Sequence, residues 1–239
     1  MLFIGVDIGG TKIRGVLWDG RKVVRAHEFP TPKNKKDFKE GLATLIAHLS
    51  GENPVRAIGI GAAGIVEKTT LVSSPNISYI KNFAFRPLWP RSMRLRVDND
   101  ARCFARAEFL RGAGRRAKSL FALTIGTGIG RAYGKNGKII KIKKFEYPER
   151  WEKEYQLLRN MPDDRKLVNF LGEKLSPLLM PFDPEAIVIG GGVMEHRRFL
   201  HRLQAAFKAR GMKAKIRRAP LRKNAVAVGA ALLFTKRAK

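Results

Sequence analysis

The sequence predicts an α/β protein built as two lobes, and three features predict it. Strand-like hydrophobic runs alternate with stretches of helical periodicity, a glycine-turned hairpin follows the first hydrophobic strand of each half, and three glycine-rich turns sit at the ends of buried strands. A pattern that recurs in this way implies a duplicated architecture with a cleft between the copies.

Leu2 to Val6 reads as a buried strand, Lys12 to Trp18 as a second with Ile13, Val16 and Leu17 inside, and Lys22 to Phe29 as a third. Gly9-Gly10 and Asp19-Gly20 supply the tight turns, so the opening is a β-meander. After a loop rich in Pro and Lys, the residues Phe38, Leu42, Leu45, Ile46 and Leu49 keep helical spacing. Arg56 to Ile60 is the next strand, Ser73 to Trp89 a loop, Leu95 to Val97 a strand, and Asn99 to Arg111 a helix with Asp98 as its expected cap. The second half repeats the meander with Ser119 to Thr124, Gly130 to Tyr133 and Lys138 to Ile142, then turns helical from about Arg150 to Met180. A strand at Ala186 to Ile189, a helix through Phe199, Leu203 and Phe207, a strand at Lys213 to Ile216 and a helix from Ala225 to Phe234 close the chain. The expected lobes are residues 1–115, completed by the C-terminal helix 225–239, and residues 116–224.

Composition narrows the function. Of the 239 residues, 44% are hydrophobic, ample for a buried core, and no apolar run approaches the ~20 residues that span a bilayer. The N-terminal stretch is strand-like and has no basic segment ahead of a cleavage site, so a cytoplasmic protein without membrane contact is expected. Cys103 is the one cysteine, which excludes an internal disulfide and a Cys-rich zinc site; beside Phe104 and Ala107 it reads as a core thiol. Lys and Arg number 48 against 20 Asp and Glu, a formal charge of +28. From His196 onward there is no acid, while Arg197, Arg202, Arg210, Arg217, Lys236, Arg237 and Lys239 accumulate. Such a surface attracts polyanions, nucleic acid included, although no aromatics interleave with the charges as a single-strand stacking platform requires. The plainer reading is solvated helix faces that weakly steer small anions.

The first glycine turn, Asp7-Ile8-Gly9-Gly10-Thr11-Lys12, places an acid at a strand end, just before residues that permit close backbone approach and can turn N–H groups toward phosphate. It is not a Walker A loop, because Thr11-Lys12 opens a strand rather than a helix. The second, Gly126-Thr127-Gly128-Ile129-Gly130, is another strand-turn-strand suited to phosphate oxygens. The third, Gly190-Gly191-Gly192-Val193, would leave a flat backbone surface for a planar base. Gly59-Ile60-Gly61-Ala62-Ala63-Gly64 matches a dinucleotide fingerprint, but no amphipathic helix follows it and no acid lies about 20 residues on, so a NAD site is not expected.

These turns, together with Gly61-Ala62-Ala63-Gly64, Ser74-Pro75-Asn76, Asp98-Asn99-Asp100-Ala101 and Ala227-Val228-Gly229-Ala230-Ala231, resemble in order and spacing the ROK family of sugar kinases and related repressors. The resemblance covers nearly the whole chain. It implies the ribonuclease H-like, actin-like ATPase fold, with ATP and Mg²⁺ in the interlobe cleft, a hexose or amino-hexose acceptor, and a homodimer as in many relatives. It implies Asp100 as the general base and Asp7 as holding Mg²⁺ through water. Gly9, Gly10, Thr11, Lys12, Thr127 and Gly128 would meet the phosphates, Gly191 and Gly192 would border the adenine, and Gly64, Asn76 and Asn99 would face the acceptor. In the first turn of a helix, Asp100 would be kept ionised by the macrodipole.

The family's Glu-x-Gly-His element and Cys-rich zinc loop are missing after Gly137, so no zinc is expected. Lys143 to Glu152 stands in their place. Counted without gaps from Gly126, Glu149 falls where the family's sugar-binding glutamate lies and Glu152 where its histidine lies; the competing reading makes both exposed charges opening a helix. Repressor members carry a helix-turn-helix before the first strand, and here the strand starts at Leu2, so sequence-specific repression is not expected. The alternative to a sugar kinase is a repurposed ATPase or a non-catalytic relative that binds a polyanion such as RNA through its basic surface.

Overall fold

The computed structural model describes residues 1–55, 57–161, 163–195 and 198–235. Arg56, His196, Arg197, Lys236, Arg237 and Lys239, named above in the strand and in the basic tail, lie outside the described residues. The chain divides into two compact units, Met1–Ala107 with Lys223–Lys239, and Glu108–Arg222.

The first unit begins with a meander of β1 (Phe3–Ile8), β2 (Lys12–Trp18) and β3 (Val23–Pro30). After it come α1 (Lys35–Ser50), β4 (Ala57–Ala62), the short strands β5 (Ile65–Glu67), β6 (Thr70–Ser73) and β7 (Lys81–Ala84), then β8 (Arg94–Asn99) and α2 (Asp100–Leu110). The strand order is β3-β2-β1-β4-β8, with β1, β4 and β8 parallel to one another. All five apolar residues that mark α1 are buried, and Asn34 caps the helix by accepting from Asp37 N at 3.0 Å.

The second unit repeats this plan. Its sheet contains β9 (Ser119–Ile125), β10 (Ile129–Lys135), β11 (Lys138–Ile140), β12 (Ala186–Gly190) and β13 (Lys215–Arg218) in the order β11-β10-β9-β12-β13. As in the first unit, the leading strand of the meander pairs parallel with the strand that follows the crossover. Its helices are α3 (Glu152–Leu158), α4 (Asp164–Leu179) and α5 (Phe199–Ala209). Leu171, Leu175, Phe199, Leu203 and Phe207 join Phe121 and Ile187 in one core.

Two expectations need correction. The segment Ser73 to Trp89 is not all loop: β7 pairs with β6 and completes a three-stranded sheet, and a 3-10 turn follows at Arg86–Leu88. The helical stretch from Arg150 to Met180 is two helices, the second started afresh by Asp163, whose side chain accepts from Arg165 N at 3.0 Å. The glycine-rich fingerprint at Gly59 to Gly64 runs into strand β5 rather than a helix, unlike a dinucleotide-binding turn.

The last helix, α6 (Ala225–Ala231), returns to the first unit and packs on β1 and β4 at backbone distance. A Cβ added at Gly59 would stand 1.9 Å from Ala230 O, and one at Gly5 would stand 1.8 Å from Ala227 O. The obstacle in both cases is backbone, which cannot swing aside. Gly59→Val is therefore expected to cost at least about 3 kcal/mol, the upper end of core overpacking, read as a lower urea midpoint; an unchanged midpoint would contradict this packing.

Candidate functional site

In the first unit, strand register assembles the motif residues. Asp7 pairs with Gly61, and Gly61 with Asp98; Ile8 pairs with Ala62, and Ala62 with Asn99. The C-terminal ends of three parallel strands thus lie side by side, where open α/β sheets bind ligands. The first glycine turn is closed by Gly9 N donating to Lys12 O at 3.1 Å, and Thr31 Oγ1 donates to Gly9 O at 2.7 Å. It lies against the Ser74-Pro75-Asn76 segment, since a Cβ on Gly10 would meet Asn76 Cβ at 2.4 Å. Gly64 has φ +139° and no room for a side chain, its Cβ position being 2.1 Å from Ser73 O. Asn99 Nδ2 donates to Gly64 O at 3.1 Å. Asp7, Gly9, Gly10, Gly64, Asn76, Asn99 and Asp100 are therefore brought together.

Asn99, not Asp98, caps α2: its Oδ1 accepts from Arg102 N at 3.3 Å. Asp98 turns instead to Arg102 and Arg106, accepting from Arg106 Nη2 at 2.9 Å. Both polar ends of the buried Asn99 side chain are thus occupied within the protein.

Asp7 and Asp100 are part-buried, each with an accessible edge. Desolvation pushes the Asp7 carboxyl up to about 8, with the charge of Asp100 adding to the rise and Lys12 and Arg14 opposing it. Asp100 is also pushed up by desolvation, against the N–H groups of Ala101 and of its own backbone, Arg102 and Asn99. Burial therefore outweighs the helix N-terminus that was expected to keep Asp100 ionised. Arg14, paired with Asp7 across the hairpin, is a residue that motif reading missed. It bonds Glu28 and donates from Nε to Asn224 Oδ1 at 2.8 Å. Lys12 Nζ lies 3.6 Å from Glu28 Oε1, and Thr11 is exposed.

Among the described residues no group of three or more His, Cys, Asp or Glu side chains could hold a metal ion. Magnesium needs less: one or two carboxylates, water and substrate phosphates. The Asp7–Asp100 pair fits that description, because a dication beside two desolvated like charges relieves both.

In the second unit the other two glycine turns meet. Thr124 pairs with Gly190, Gly126 N donates to Gly128 O at 3.0 Å, and Gly191, at φ +99°, rests against Ile125 so closely that a Cβ would stand 2.2 Å from its carbonyl oxygen. Thr127, Gly191 and Gly192 are exposed and Gly128 partly so, which leaves this backbone accessible. Glu149 is part-buried, with Lys144 Nζ at 3.8 Å. Glu152 is not the exposed charge of the competing reading: it is buried and bonded to the buried Arg131 at 2.7 Å.

Part of the basic excess serves the fold. Arg86 donates to Met93 O, Trp89 O and Pro90 O, Arg210 to Ala206 O, and Arg217 to Ala113 O, so guanidinium groups cap carbonyls without any acid. Lys208, Lys213, Lys215, Arg217 and Arg218 are exposed. No helix among the described residues is long and apolar enough to cross a membrane.

Comparison with known proteins gives the same pattern. The model of the ROK family matches residues 3–142 and 164–237. A glucokinase of Streptomyces coelicolor is 33% identical over 133 residues, covering 54% of this chain and 42% of the relative. An N-acetyl-D-glucosamine kinase of Haemophilus influenzae is 32% identical over 146 residues, covering 58% of this chain and 47% of the relative. Each match thus spans less than half of the relative's length. A ROK family glucokinase from Streptomyces griseus, solved in complex with glucose and AMPPNP, superposes with a TM-score of 0.83 at 24% identity, covering 98% of this chain and 99% of that one. That likeness establishes the actin-like ATPase fold.

Proposed function

The chain belongs to the ROK family, and from that premise we propose that it is an ATP-dependent kinase that transfers the γ-phosphoryl group to a hydroxyl of a hexose or amino-hexose, with Asp100 as general base. The observation that carries this reading is the placing of the part-buried carboxylates Asp7 and Asp100 at the ends of parallel strands of one sheet, beside a glycine turn that packs on Asn76. The glucokinase and N-acetylglucosamine kinase relatives support a sugar as acceptor.

In this reading Gly9, Gly10, Thr11, Lys12, Thr127 and Gly128 attend the phosphates, and Gly191 and Gly192 border the adenine. Gly64, Asn76, Asn99 and Glu149 form the acceptor side, Asn99 acting by holding the Gly64 carbonyl in place. Mg²⁺, held near Asp7 through water, would offset the negative charge of the phosphates. Asp100 accepts the proton of the acceptor hydroxyl as that oxygen forms a bond to the γ-phosphorus; the bond from the γ-phosphorus to the bridging β-oxygen breaks, and ADP leaves. Positioning and charge neutralisation provide most of the acceleration in such a transfer.

The test is ADP release from Mg-ATP across glucose, N-acetylglucosamine, mannose, N-acetylmannosamine and simple polyols. Turnover stimulated by one of the sugars is expected. ATP binding without stimulation by any acceptor would end the kinase reading. The +28 charge favours a second reading, an ATPase or binding protein docked on a polyanion. Salt-sensitive retention on RNA in the absence of acceptor-stimulated ADP release would support it.

A further inference from the structure

Arg131 occupies an unusual place for an ion. It stands on β10 opposite Leu123 of β9, between Ile129 and Tyr133, on a strand face that otherwise feeds the core of the second unit. Its Nε and Nη1 are buried and bond no protein atom. Its Nη2 donates to Glu152 Oε1 at 2.7 Å and to Tyr147 O at 2.9 Å. The same Glu152 oxygen accepts from Glu149 N at 2.9 Å, and the guanidinium lies 5.9 Å from the centre of the Trp151 ring. One nitrogen and one oxygen thereby fix the chain at residues 147, 149 and 152.

The helix that Glu152 opens reaches the second glycine turn within one further turn of its own. Tyr155 Oη donates to Gly126 O at 2.5 Å, and Gln156 Nε2 donates to Thr127 O at 2.7 Å. The short helix α3 therefore carries at one end the anchor of the Glu149 segment and next to it the supports of the Thr127 turn. Stability alone would not select this arrangement, since well-packed apolar residues commonly match or exceed a buried ion pair, above all one that leaves two guanidinium nitrogens without partners.

We infer that Arg131 and Glu152 are positioning residues: the buried pair sets the segment that presents Glu149 to the acceptor and, through α3, ties it to the turn that attends the phosphates. This rests on the kinase reading above. Neither residue touches a reacting atom; each acts through Glu149 and the Gly126–Thr127 turn.

The test compares the parent with the double variant Arg131→Met/Glu152→Leu and with Glu152→Gln. The double variant is expected to keep or raise its thermal midpoint, while the KM for the acceptor rises roughly ten- to a hundredfold, the scale of a misplaced binding group. The KM for ATP is expected to rise less, because Tyr155 and Gln156, which hold the Gly126–Thr127 turn directly, are unchanged in the variant. Glu152→Gln, whose amide oxygen can still accept from Arg131 and from Glu149 N, is expected to fall between parent and double variant. The Glu149 amide should exchange with deuterium faster in the double variant. A folded double variant with an unchanged acceptor KM would overturn the inference and leave the kinase reading intact. A parent that releases no ADP with any acceptor would sink the kinase reading, and this inference with it.

Discussion

Asp100→Asn is expected to lower acceptor-stimulated turnover by ~10²–10⁴-fold, the usual contribution of a general base, while leaving ATP binding in place. The substitution is nearly isosteric, and the asparagine oxygen can still accept from Ala101 N as Asp100 Oδ1 does at 2.8 Å. The geometry of α2 therefore stays as it is, and only the ability to take a proton is lost. The pH profile gives an independent check. Asp100 works as a base only when ionised, and burial raises its pKa in the free protein, so kcat/KM must fall on acidification at a pH above the ordinary aspartate range of about 3.9. The residual rate of Asp100→Asn should lack that acidic limb. A variant that turns over at the parent rate would remove Asp100 from the chemistry.

What the sequence disclosed, and what it did not, follows from the range of the interactions involved. The helix α1 was legible because a long amphipathic helix repeats its buried stripe four times, at Phe38, Leu42, Leu45 with Ile46, and Leu49. The three-stranded sheet was not, because strands as short as Ile65–Glu67 leave too few residues for alternation to show. The first unit's cluster was legible through motifs, since Asp7, Gly64 and Asn99 lie at or just beyond the ends of adjacent parallel strands and short spacing brings them together. Arg14 could have been found by counting back from the Gly9-Gly10 turn, which sets Ile13 opposite Ile8 and Arg14 opposite Asp7. Arg131 carried one signal, a charge in phase with the inward Ile129 and Tyr133 on the same strand face. Its partner did not, because Glu152 is 21 positions away along a loop whose path no local pattern fixes. The Asp98 cap failed for a similar reason: Arg102 and Arg106 compete for that carboxylate from the first two turns of the same helix, and Asn99 takes the cap.

Asp7→Asn should show an opposition between stability and activity that follows from the same desolvation. In the folded protein without Mg²⁺ the Asp7 carboxyl titrates at about 8, against about 3.9 in an unfolded chain. Between those values the folded state holds a proton that the unfolded state has lost. The contribution of Asp7 to stability is therefore full below about pH 4 and declines as pH rises toward 8. Allowing for the open edge of the carboxylate, the loss is on the order of 3 kcal/mol. Asparagine carries no such cost, so the variant should be more stable than the parent at pH 8 and nearly equal at pH 4.5, measured by urea unfolding in chelator. Glu108, pushed up to about 7 chiefly by burial, gives a slope of the same sign in both proteins and cancels in the difference. Mg-ATP should reverse the order: a cation beside Asp7 favours the ionised form, so the ligand should raise the parent's midpoint more than the variant's. The variant should also lose turnover even though its fold is stronger, because in the proposed kinase the carboxylate that destabilises the empty protein is the one that would hold the cation. An equal stability difference between the two proteins at pH 4.5 and pH 8 would show that Asp7 is not desolvated in this way, and would remove the electrostatic argument for a cation at that position.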